Sequence, residues 1–247
     1  MTAASRWFHR PDPRPHARIR LVCLPYAGAG AAVFKGWAER LAADVEPLWV
    51  RLPGRENRLR ERPLAQWPEL VDEFAAALTE EVPSPYVLFG HSMGGMVVYK
   101  TVTSTALSRV PERVVISACR APDVPRAVPA LHELPEEEFA RGLADLGGVP
   151  AEVLAGRGLF RMLEPMLRAD LRLAETWPPD PPGPVPVPLT VLWGDADHVA
   201  PRAAVEAWRR LALGGYRGRE VAGGHFFLTD PAAGVVELLN REIGGCG

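Results

Sequence analysis

Short hydrophobic runs alternate with amphipathic stretches along most of the chain. Runs that are apolar at nearly every position are typical of buried parallel strands, and apolar residues at every third or fourth position are typical of helices. The predicted strands are residues 19–24, 47–52, 86–89, 114–119, 189–193 and 219–221. The predicted helices are residues 32–41, 68–82, 93–107, 202–211 and 232–243. This alternation predicts an α/β fold, with a mainly parallel sheet and helices on both faces.

The alternation stops at residues 131–177, where only helical patterns occur. Pro135 followed by three glutamates is typical of a helix start, because carboxylates favour the positive end of the helix dipole. In a second stretch leucine recurs at every fourth position, at Leu159, Leu163, Leu167 and Leu171. Pro165 lies inside this stretch and predicts either a kink or a division into two helices.

We interpret residues 131–177 as a helical lid inserted between core strands. The proline-rich run at 178–184 is typical of a stiff connector back to the sheet. The predicted organisation is a polar N-terminal tail at 1–18, a first part of the core at 19–130, the lid at 131–177 and a second part of the core at 178–247.

Composition and charge argue against several classes of protein. The formal net charge of the 247 residues is -2 and no basic stripe is present, which argues against nucleic-acid binding. Residues 1–20 contain no apolar run long enough for a signal peptide or membrane span, so a cytoplasmic protein without membrane association is expected. Cys23, Cys119 and Cys246 lack metal-ligand spacing and are expected to be free thiols. We expect a monomer without metal or organic cofactor.

Residues 90–94 have the sequence Gly-His-Ser-Met-Gly and lie between a predicted buried strand and a predicted helix. A G-x-S-x-G pattern also occurs by chance, but this context favours the nucleophile elbow of the α/β-hydrolases. There the serine lies in a strained turn with its hydroxyl exposed, and the crowded backbone leaves no room for a Cβ at the glycines. Ser92 is therefore the predicted nucleophile, in an α/β-hydrolase fold with an inserted helical lid.

A serine hydroxyl needs a base, and the base needs a third group to orient it. In this fold the chain order is serine, acid, histidine. His225 lies in a glycine-rich loop after the last predicted strand and is the predicted base. Two acids, Asp195 and Asp197, follow the strand at 189–193. The pattern G-x-x-D favours Asp197, whereas Asp195 so close to the strand suits a turn cap.

An acyl-transfer site also needs two backbone N–H donors for the oxyanion of the tetrahedral intermediate. One is predicted at Met93, directly after the nucleophile, and the other in the loop after the first core strand, where Ala27 is favoured. The alternative for this loop is an ordinary strand-to-helix turn.

Five segments taken together are more specific than the elbow alone. They are Cys-Leu-Pro-Tyr-Ala-Gly at 23–28, Leu-Pro-Gly-Arg-Glu-Asn-Arg at 52–58, Gly-His-Ser-Met-Gly-Gly at 90–95, Leu-Arg-Ala-Asp at 167–170 and Gly-Gly-His-Phe at 223–226. Over residues 19–243 the chain resembles the type II thioesterases of polyketide and nonribosomal peptide assembly lines. The resemblance implies a serine hydrolase that cleaves acyl thioesters from the phosphopantetheine arm of acyl carrier proteins, and an editing role that removes stalled or aberrant acyl groups.

Two other activities fit the same predicted triad. Some members of the family that this chain resembles release medium-chain products, and a carboxylesterase of free small esters would share the triad while lacking the thioesterase-like segments. A noncatalytic scaffold would be expected to have lost a triad residue, and none is missing.

The remaining expectations concern the lid and one loop. The predicted acyl pocket consists of Tyr26, Leu159, Phe160, Met162 and Met166. Arg157, Arg161, Arg168 and Arg172 are candidates for docking an acidic carrier protein, although a solvated helix face explains them equally well. Arg55 and Glu56 are interpreted as structural, in a loop ion pair or a helix-end contact.

Overall fold

The computed structural model describes residues 5–177 and 182–245. Its strands are β1 Phe8–His9, β2 Ile19–Leu24, β3 Val45–Val50, β4 Tyr86–His91, β5 Arg113–Ser117, β6 Leu189–Gly194 and β7 Tyr216–Val221. Its α-helices are α1 Trp67–Glu81, α2 Met93–Thr103, α3 Glu136–Leu146, α4 Ala151–Ala155, α5 Arg157–Glu175, α6 Arg202–Glu206 and α7 Val235–Gly244. The predicted α/β fold class is confirmed, since these strands form one sheet with helices on both faces.

The strand order of the sheet, β1-β3-β2-β4-β5-β6-β7, determines which loops meet. Strands β2 to β7 run parallel, and β1 pairs antiparallel with β3 at the edge. The last residue of β2, Leu24, pairs with Gly90 near the end of β4, and Gly194 at the end of β6 pairs with Val221 at the end of β7. The loop after β2 therefore lies beside the elbow, and the loop after β6 lies beside the loop after β7, all at the carboxyl edge of the sheet.

Alternate residues of the central strands pack on opposite faces of the sheet. On β4, Leu88 belongs to the hydrophobic core beneath α1 and α2, whereas Val87 and Phe89 belong to the core beneath α7. These side chains are fully buried. Each stabilises the fold by about 1.5–3 kcal/mol relative to an exposed side chain, so the core fixes the β4 register and holds the residue that follows it.

Two predicted helices are wrong in length or type. Residues 32–41 form a 3₁₀ helix, Ala31–Phe34, followed by turns. Gly36, with φ +81°, interrupts the helical backbone, while the aromatic rings of Phe34 and Trp37 pack on Trp49 of β3. The apolar residues of this segment are spaced as in a helix, but they occupy these positions because they pack on the sheet. The spacing alone therefore led to the wrong prediction. The predicted helix at 202–211 is divided into α6 and a 3₁₀ helix, Ala207–Leu211.

The segment predicted as a polar tail contributes an edge strand. Strand β1 pairs with β3, and the buried side chains of Trp7 and Phe8 contact Phe74 of α1. Two aromatic residues in a polar stretch are too short a signal for periodicity to detect. Residues 1–4 lie outside the described part of the chain.

Helices α3, α4 and α5 all lie between β5 and β6. Helix α5 continues through Pro165 without division. Buried residues on both sides of the proline, from Phe160 to Leu173, hold the helix together and offset the lost backbone hydrogen bond. Part of the predicted proline-rich connector, residues 178–181, lies outside the described residues.

Cys23 and Cys119 are free and buried, as predicted, and Cys246 lies outside the described residues. No helix within the described ranges is long and apolar enough to cross a membrane.

Candidate active site

Ser92 occupies a strained turn between β4 and α2. Its backbone has φ 54° and ψ -116°, a conformation that a side-chain-bearing residue adopts only where the surroundings impose it. A Cβ on Gly90 would lie 2.2 Å from the carbonyl oxygen of Gly94, and a Cβ on Gly94 would lie 2.5 Å from the carbonyl oxygen of Leu24. Because these neighbours are backbone atoms that cannot move aside, both positions require glycine.

Hydrogen bonds join the three predicted triad side chains in a line. The Ser92 Oγ atom lies 3.0 Å from His225 Nε2, and His225 Nδ1 lies 2.9 Å from Asp197 Oδ2. The carboxylate can only accept, so the proton of the neutral ring lies on Nδ1 and leaves Nε2 free to accept the serine proton. This arrangement can activate a hydroxyl for nucleophilic attack.

The two competing aspartates have different surroundings. Asp197 is 5% exposed, and its Oδ1 atom accepts hydrogen bonds from the backbone N–H groups of Val199 and Ala200. Burial acts to raise the pKa of its carboxyl, but the hydrogen bonds from His225 and from these N–H groups outweigh burial, and the pKa is lowered. Asp195 is exposed, and its carboxylate accepts a hydrogen bond from the N–H of Gly223. Asp195 thus links two loops, and it is Asp197 that contacts His225.

His91 is a fully buried residue that sequence reasoning assigned only to the elbow. Its Nε2 atom donates a hydrogen bond of 2.7 Å to the backbone carbonyl of His225, and its Nδ1 atom accepts one of 2.9 Å from the Ser117 hydroxyl. Burial, with a smaller electrostatic contribution from the neighbouring His225, lowers the pKa of His91 to about 3. A neutral His91 therefore ties the elbow strand to the loop that carries His225. The motif Gly-His-Ser shows where His91 lies in the sequence, but it does not indicate the hydrogen bond to the His225 carbonyl.

The predicted oxyanion donors lie in two different elements. Met93 is the first residue of α2, where backbone N–H groups lack helical partners and the helix dipole favours negative charge. Ala27 lies in a turn closed by a hydrogen bond of 3.1 Å from Ala29 N–H to the Tyr26 carbonyl. Within the described part of the chain, the N–H groups of Ala27 and Met93 have no protein acceptor. Both remain available to a ligand.

A cavity of about 490 Å³ opens beside the serine, between the carboxyl edge of the sheet and the lid. Tyr26, Ala27, Ser92 and His225 are among the residues that line it. The lid contributes a largely aliphatic wall, which includes Leu131, Leu143, Leu146, Val149, Leu167 and Leu171. The volume is within the range of small-molecule sites, about 300–1,000 Å³. Among residues 5–177 and 182–245, no group of three or more His, Cys, Asp or Glu side chains is placed to hold a metal ion.

Of the predicted pocket residues, Tyr26 lines this cavity and the four on α5 do not. Leu159 and Met162 are 42% and 51% exposed, and Phe160 and Met166 are buried in the hydrophobic core of the lid. Helix geometry explains the position of Leu159, because residues four positions apart drift by about 40° around a helix at each step. Over three steps the leucine series turns from solvent at Leu159 to the cavity at Leu171.

The sheet, the strained serine at the strand-to-helix turn and the later acid and histidine loops define the α/β-hydrolase class. The model of the thioesterase domain family matches residues 19–243. The chain therefore belongs to the thioesterase family, whose members hydrolyse thioesters.

Known relatives cover almost the whole chain. The gramicidin S biosynthesis protein GrsT of Aneurinibacillus migulanus is 30% identical over 98% of this chain and 96% of its own. The structure of RedJ, a thioesterase from the prodiginine biosynthetic pathway in Streptomyces coelicolor, has a TM-score of 0.84 and 36% identity, and covers 95% of this chain and 90% of its own. The type II thioesterase BorB, from the borrelidin biosynthetic cluster, has a TM-score of 0.84 and 30% identity, and covers 99% of each chain.

Proposed function

We propose that Ser92, His225 and Asp197 hydrolyse acyl thioesters through an acyl-serine intermediate. The hydrogen-bonded line from Ser92 Oγ through His225 to Asp197 supports this assignment. His225 Nε2 takes the hydroxyl proton as Ser92 Oγ attacks the thioester carbonyl, and the Asp197 carboxylate stabilises the resulting imidazolium. The attacked oxygen becomes an oxyanion, which the N–H groups of Ala27 and Met93 stabilise.

Collapse of the tetrahedral intermediate breaks the carbon–sulfur bond. Because a thiol has a pKa of about 8.5, the departing thiolate needs less protonation than an amine leaving group would. His225 gives its proton to this thiolate, which leaves as the free thiol. A water molecule then gives a proton to His225 and attacks the acyl-serine carbonyl. The second intermediate releases the carboxylic acid and restores the Ser92 hydroxyl. No metal or organic cofactor enters these steps.

The proposed substrate is an acyl group on the phosphopantetheine arm of an acyl carrier protein, and the proposed role is removal of aberrant or stalled acyl groups in polyketide or nonribosomal peptide assembly. Support comes from the similarity along almost the full length to GrsT, RedJ and BorB, whose names refer to biosynthetic pathways of this kind or to type II thioesterases. Arg157, Arg161 and Arg172 are exposed on α5 and suit an acidic carrier protein. Arg168 does not, because its guanidinium lies 4.1 Å from the ring centre of Phe139 and donates to the His132 carbonyl inside the lid.

Rates on three substrates with the same acyl group test the proposal: a carrier-protein thioester, the coenzyme A thioester and the 4-nitrophenyl ester. We expect kcat/KM to be highest for the carrier-protein thioester. Preference for the nitrophenyl ester would favour a carboxylesterase. Absence of turnover with all three acyl donors would contradict the hydrolytic mechanism.

One observation favours the alternative of medium-chain product release. The lid wall of the cavity is aliphatic, with Leu143, Leu146 and Leu171 exposed to its interior, and such a wall suits a hydrocarbon chain better than an acetyl group. A chain-length profile on one carrier protein distinguishes the roles. Editing predicts broad activity that includes short acyl groups, and product release predicts a sharp maximum at medium length.

A further inference from the structure

A buried ion pair joins the lid to the loop after β3. The guanidinium of Arg55 makes two hydrogen bonds to the carboxylate of Asp170 on α5, each 2.7 Å long. The side chains are 5% and 3% exposed. The segments Leu-Pro-Gly-Arg-Glu at 52–56 and Leu-Arg-Ala-Asp at 167–170 are therefore in contact through this pair, and Arg55 takes part in a loop ion pair, one of the two predicted structural roles.

Both partners also hold the loop that carries Ala27. Asp170 Oδ2 accepts a hydrogen bond of 2.8 Å from the N–H of Gly28, and Arg55 Nη1 donates one of 2.7 Å to the carbonyl of Ala29. The N–H of Gly28 is thus fixed by a lid residue, and the carbonyl of the next residue, Ala29, is fixed by a residue of the loop after β3. Glu56 adds a further contact, since its carboxylate accepts a hydrogen bond from the N–H of Ala32.

The conformation of the loop explains why these contacts matter for Ala27. Residues 26–29 form a turn in which Gly28 has φ +82°, as at the third position of a type II turn. The N–H of Gly28 belongs to the middle peptide of this turn, so the Asp170 carboxylate fixes the orientation of that peptide next to Ala27. Leu167 packs on the same glycine, because a Cβ there would lie 2.7 Å from Leu167 Cδ2.

Stability alone is a weak explanation for such a pair. Desolvation of two buried charges consumes most of their attraction, and well-packed apolar side chains in their place are often as stable or more stable. An apolar pair, however, has no acceptor for the Gly28 N–H and no donor for the Ala29 carbonyl. The hydrogen bonds to the turn are what the charged pair supplies and an apolar pair lacks.

We propose that Arg55 and Asp170 are positioning residues that hold the Ala27 N–H in place for the oxyanion. The inference rests on the proposed function, in which Ala27 is an oxyanion donor. The part of α5 around Leu167 and Asp170 is then a fixed part of the active site. Any opening of the lid takes place in α3, α4 and the first part of α5, around Leu159 and Met162. Removal of the pair should weaken stabilisation of the tetrahedral intermediate and leave ground-state binding nearly intact.

The test uses Asp170→Ala, which removes the acceptor for the Gly28 N–H, and the double variant Arg55→Met/Asp170→Leu, with Glu46→Gln as the matched control. Glu46 is also a buried carboxylate paired with arginine, 2.7 Å from Arg10, but it lies at the opposite end of the sheet. The measurements are kcat and KM for a 4-nitrophenyl ester, the inhibition constant of an alkyl boronic acid that forms a tetrahedral adduct with the serine, and Tm. The ester and the boronic acid require no carrier protein, so the result does not depend on the natural substrate.

For Asp170→Ala we expect kcat to fall by about 10- to 100-fold, boronic acid affinity to fall by a similar factor and KM to change less than threefold. The double variant should regain Tm without regaining kcat. Glu46→Gln should lower Tm and leave kcat unchanged. The proposal is overturned if kcat and boronic acid affinity recover together with Tm in the double variant. If that variant does not fold, unchanged kcat and boronic acid affinity in Asp170→Ala overturn it equally well. Failure of the proposed function is recognised separately, by a wild-type protein that neither hydrolyses the ester nor binds the boronic acid.

Discussion

The carboxyl edge of the sheet, where the triad lies, and the outer part of the lid, formed by α4 and the first turns of α5, differ in the number of contacts that fix their residues. At the edge, each triad partner has independent supports: Asp197 accepts two backbone hydrogen bonds besides that of His225, and His225 is held at its carbonyl by His91. In the outer lid, α4 buries no residue, and Leu159 and Met162 of α5 are largely exposed.

This difference indicates that the residues at the carboxyl edge of the sheet determine the rate of the reaction, whereas the lid determines which substrate is accepted. Residues with several independent contacts keep the atoms of the reaction within the small tolerance that catalysis requires. Segments with few buried contacts open at low free-energy cost. Changes at the edge should therefore alter rates by orders of magnitude, changes in the lid wall should alter specificity severalfold, and changes on the outer lid should alter neither.

The largest effect is expected for Asp197→Asn. An amide cannot stabilise the imidazolium and favours the wrong tautomer of His225, so kcat should fall by about 10³- to 10⁴-fold. Asp195→Asn is the matched control, because an asparagine oxygen can still accept the hydrogen bond from Gly223 that Asp195 accepts at 2.9 Å. Its kcat should stay within about threefold of wild type. Steady-state kinetics on one thioester decides the matter, and equal losses in the two variants would contradict the assignment of the acid.

The next effect concerns stability against acid. Folding lowers the pKa of His91 from 6.5 to about 3, so the unfolded state binds more protons than the folded state between these values. Stability should therefore decrease as the pH falls through this range, by at most about 1.4 kcal/mol per pH unit from this residue. His91→Gln has no titrating group at this position, so its unfolding free energy should depend less on pH between 6 and 4.

Urea unfolding at several pH values measures both slopes. A uniformly lower stability of the variant does not affect the result, because the test compares slopes. Equal slopes for wild type and variant would show that His91 is not the buried neutral link between the elbow and the His225 loop.

The smallest effect is expected in the lid. Leu171→Ala enlarges the cavity and should shift preference toward longer acyl chains severalfold, since each additional methylene contributes about 1 kcal/mol. Leu159→Ala, the same substitution on the same helix, should leave the profile unchanged, because its side chain is 42% exposed and does not line the cavity. Chain-length profiles on one carrier protein compare the two, and an equal shift in both variants would remove the distinction between inner and outer lid.

The sequence was most informative where local pattern and chemistry agree. The approximate positions of six strands along the chain, the elbow and the loops that carry His225 and Asp197 followed from buried apolar runs and the segments that end them. Strand β1 was not predicted because two aromatic residues form no period. The helix predicted at 32–41 is a short 3₁₀ helix followed by turns, because aromatic residues that pack on the sheet have the spacing of a helix.

Contacts between segments distant in the chain were beyond sequence reasoning. The pocket prediction was wrong for four residues of α5, because the hydrophobic pattern does not distinguish a side chain that faces the cavity from one that packs in the lid core, as Phe160 and Met166 do, or one that is exposed, as Leu159 and Met162 are. The link from Arg55 to Asp170 spans 115 positions, and no periodicity connects them. The bond from His91 to the His225 carbonyl involves a backbone atom, which no side-chain pattern reveals.

The most direct test of the central claim, that Ser92 is the activated nucleophile, is covalent labelling with a serine-directed fluorophosphonate followed by mass spectrometry of the digested protein. We expect one adduct, on Ser92, with no labelling of Ser92→Ala and with Tm of that variant near the wild-type value. Labelling should be much slower in Asp197→Asn, because the base is no longer oriented. An adduct on any other residue of the wild type, or hydrolysis retained by Ser92→Ala, would contradict the account.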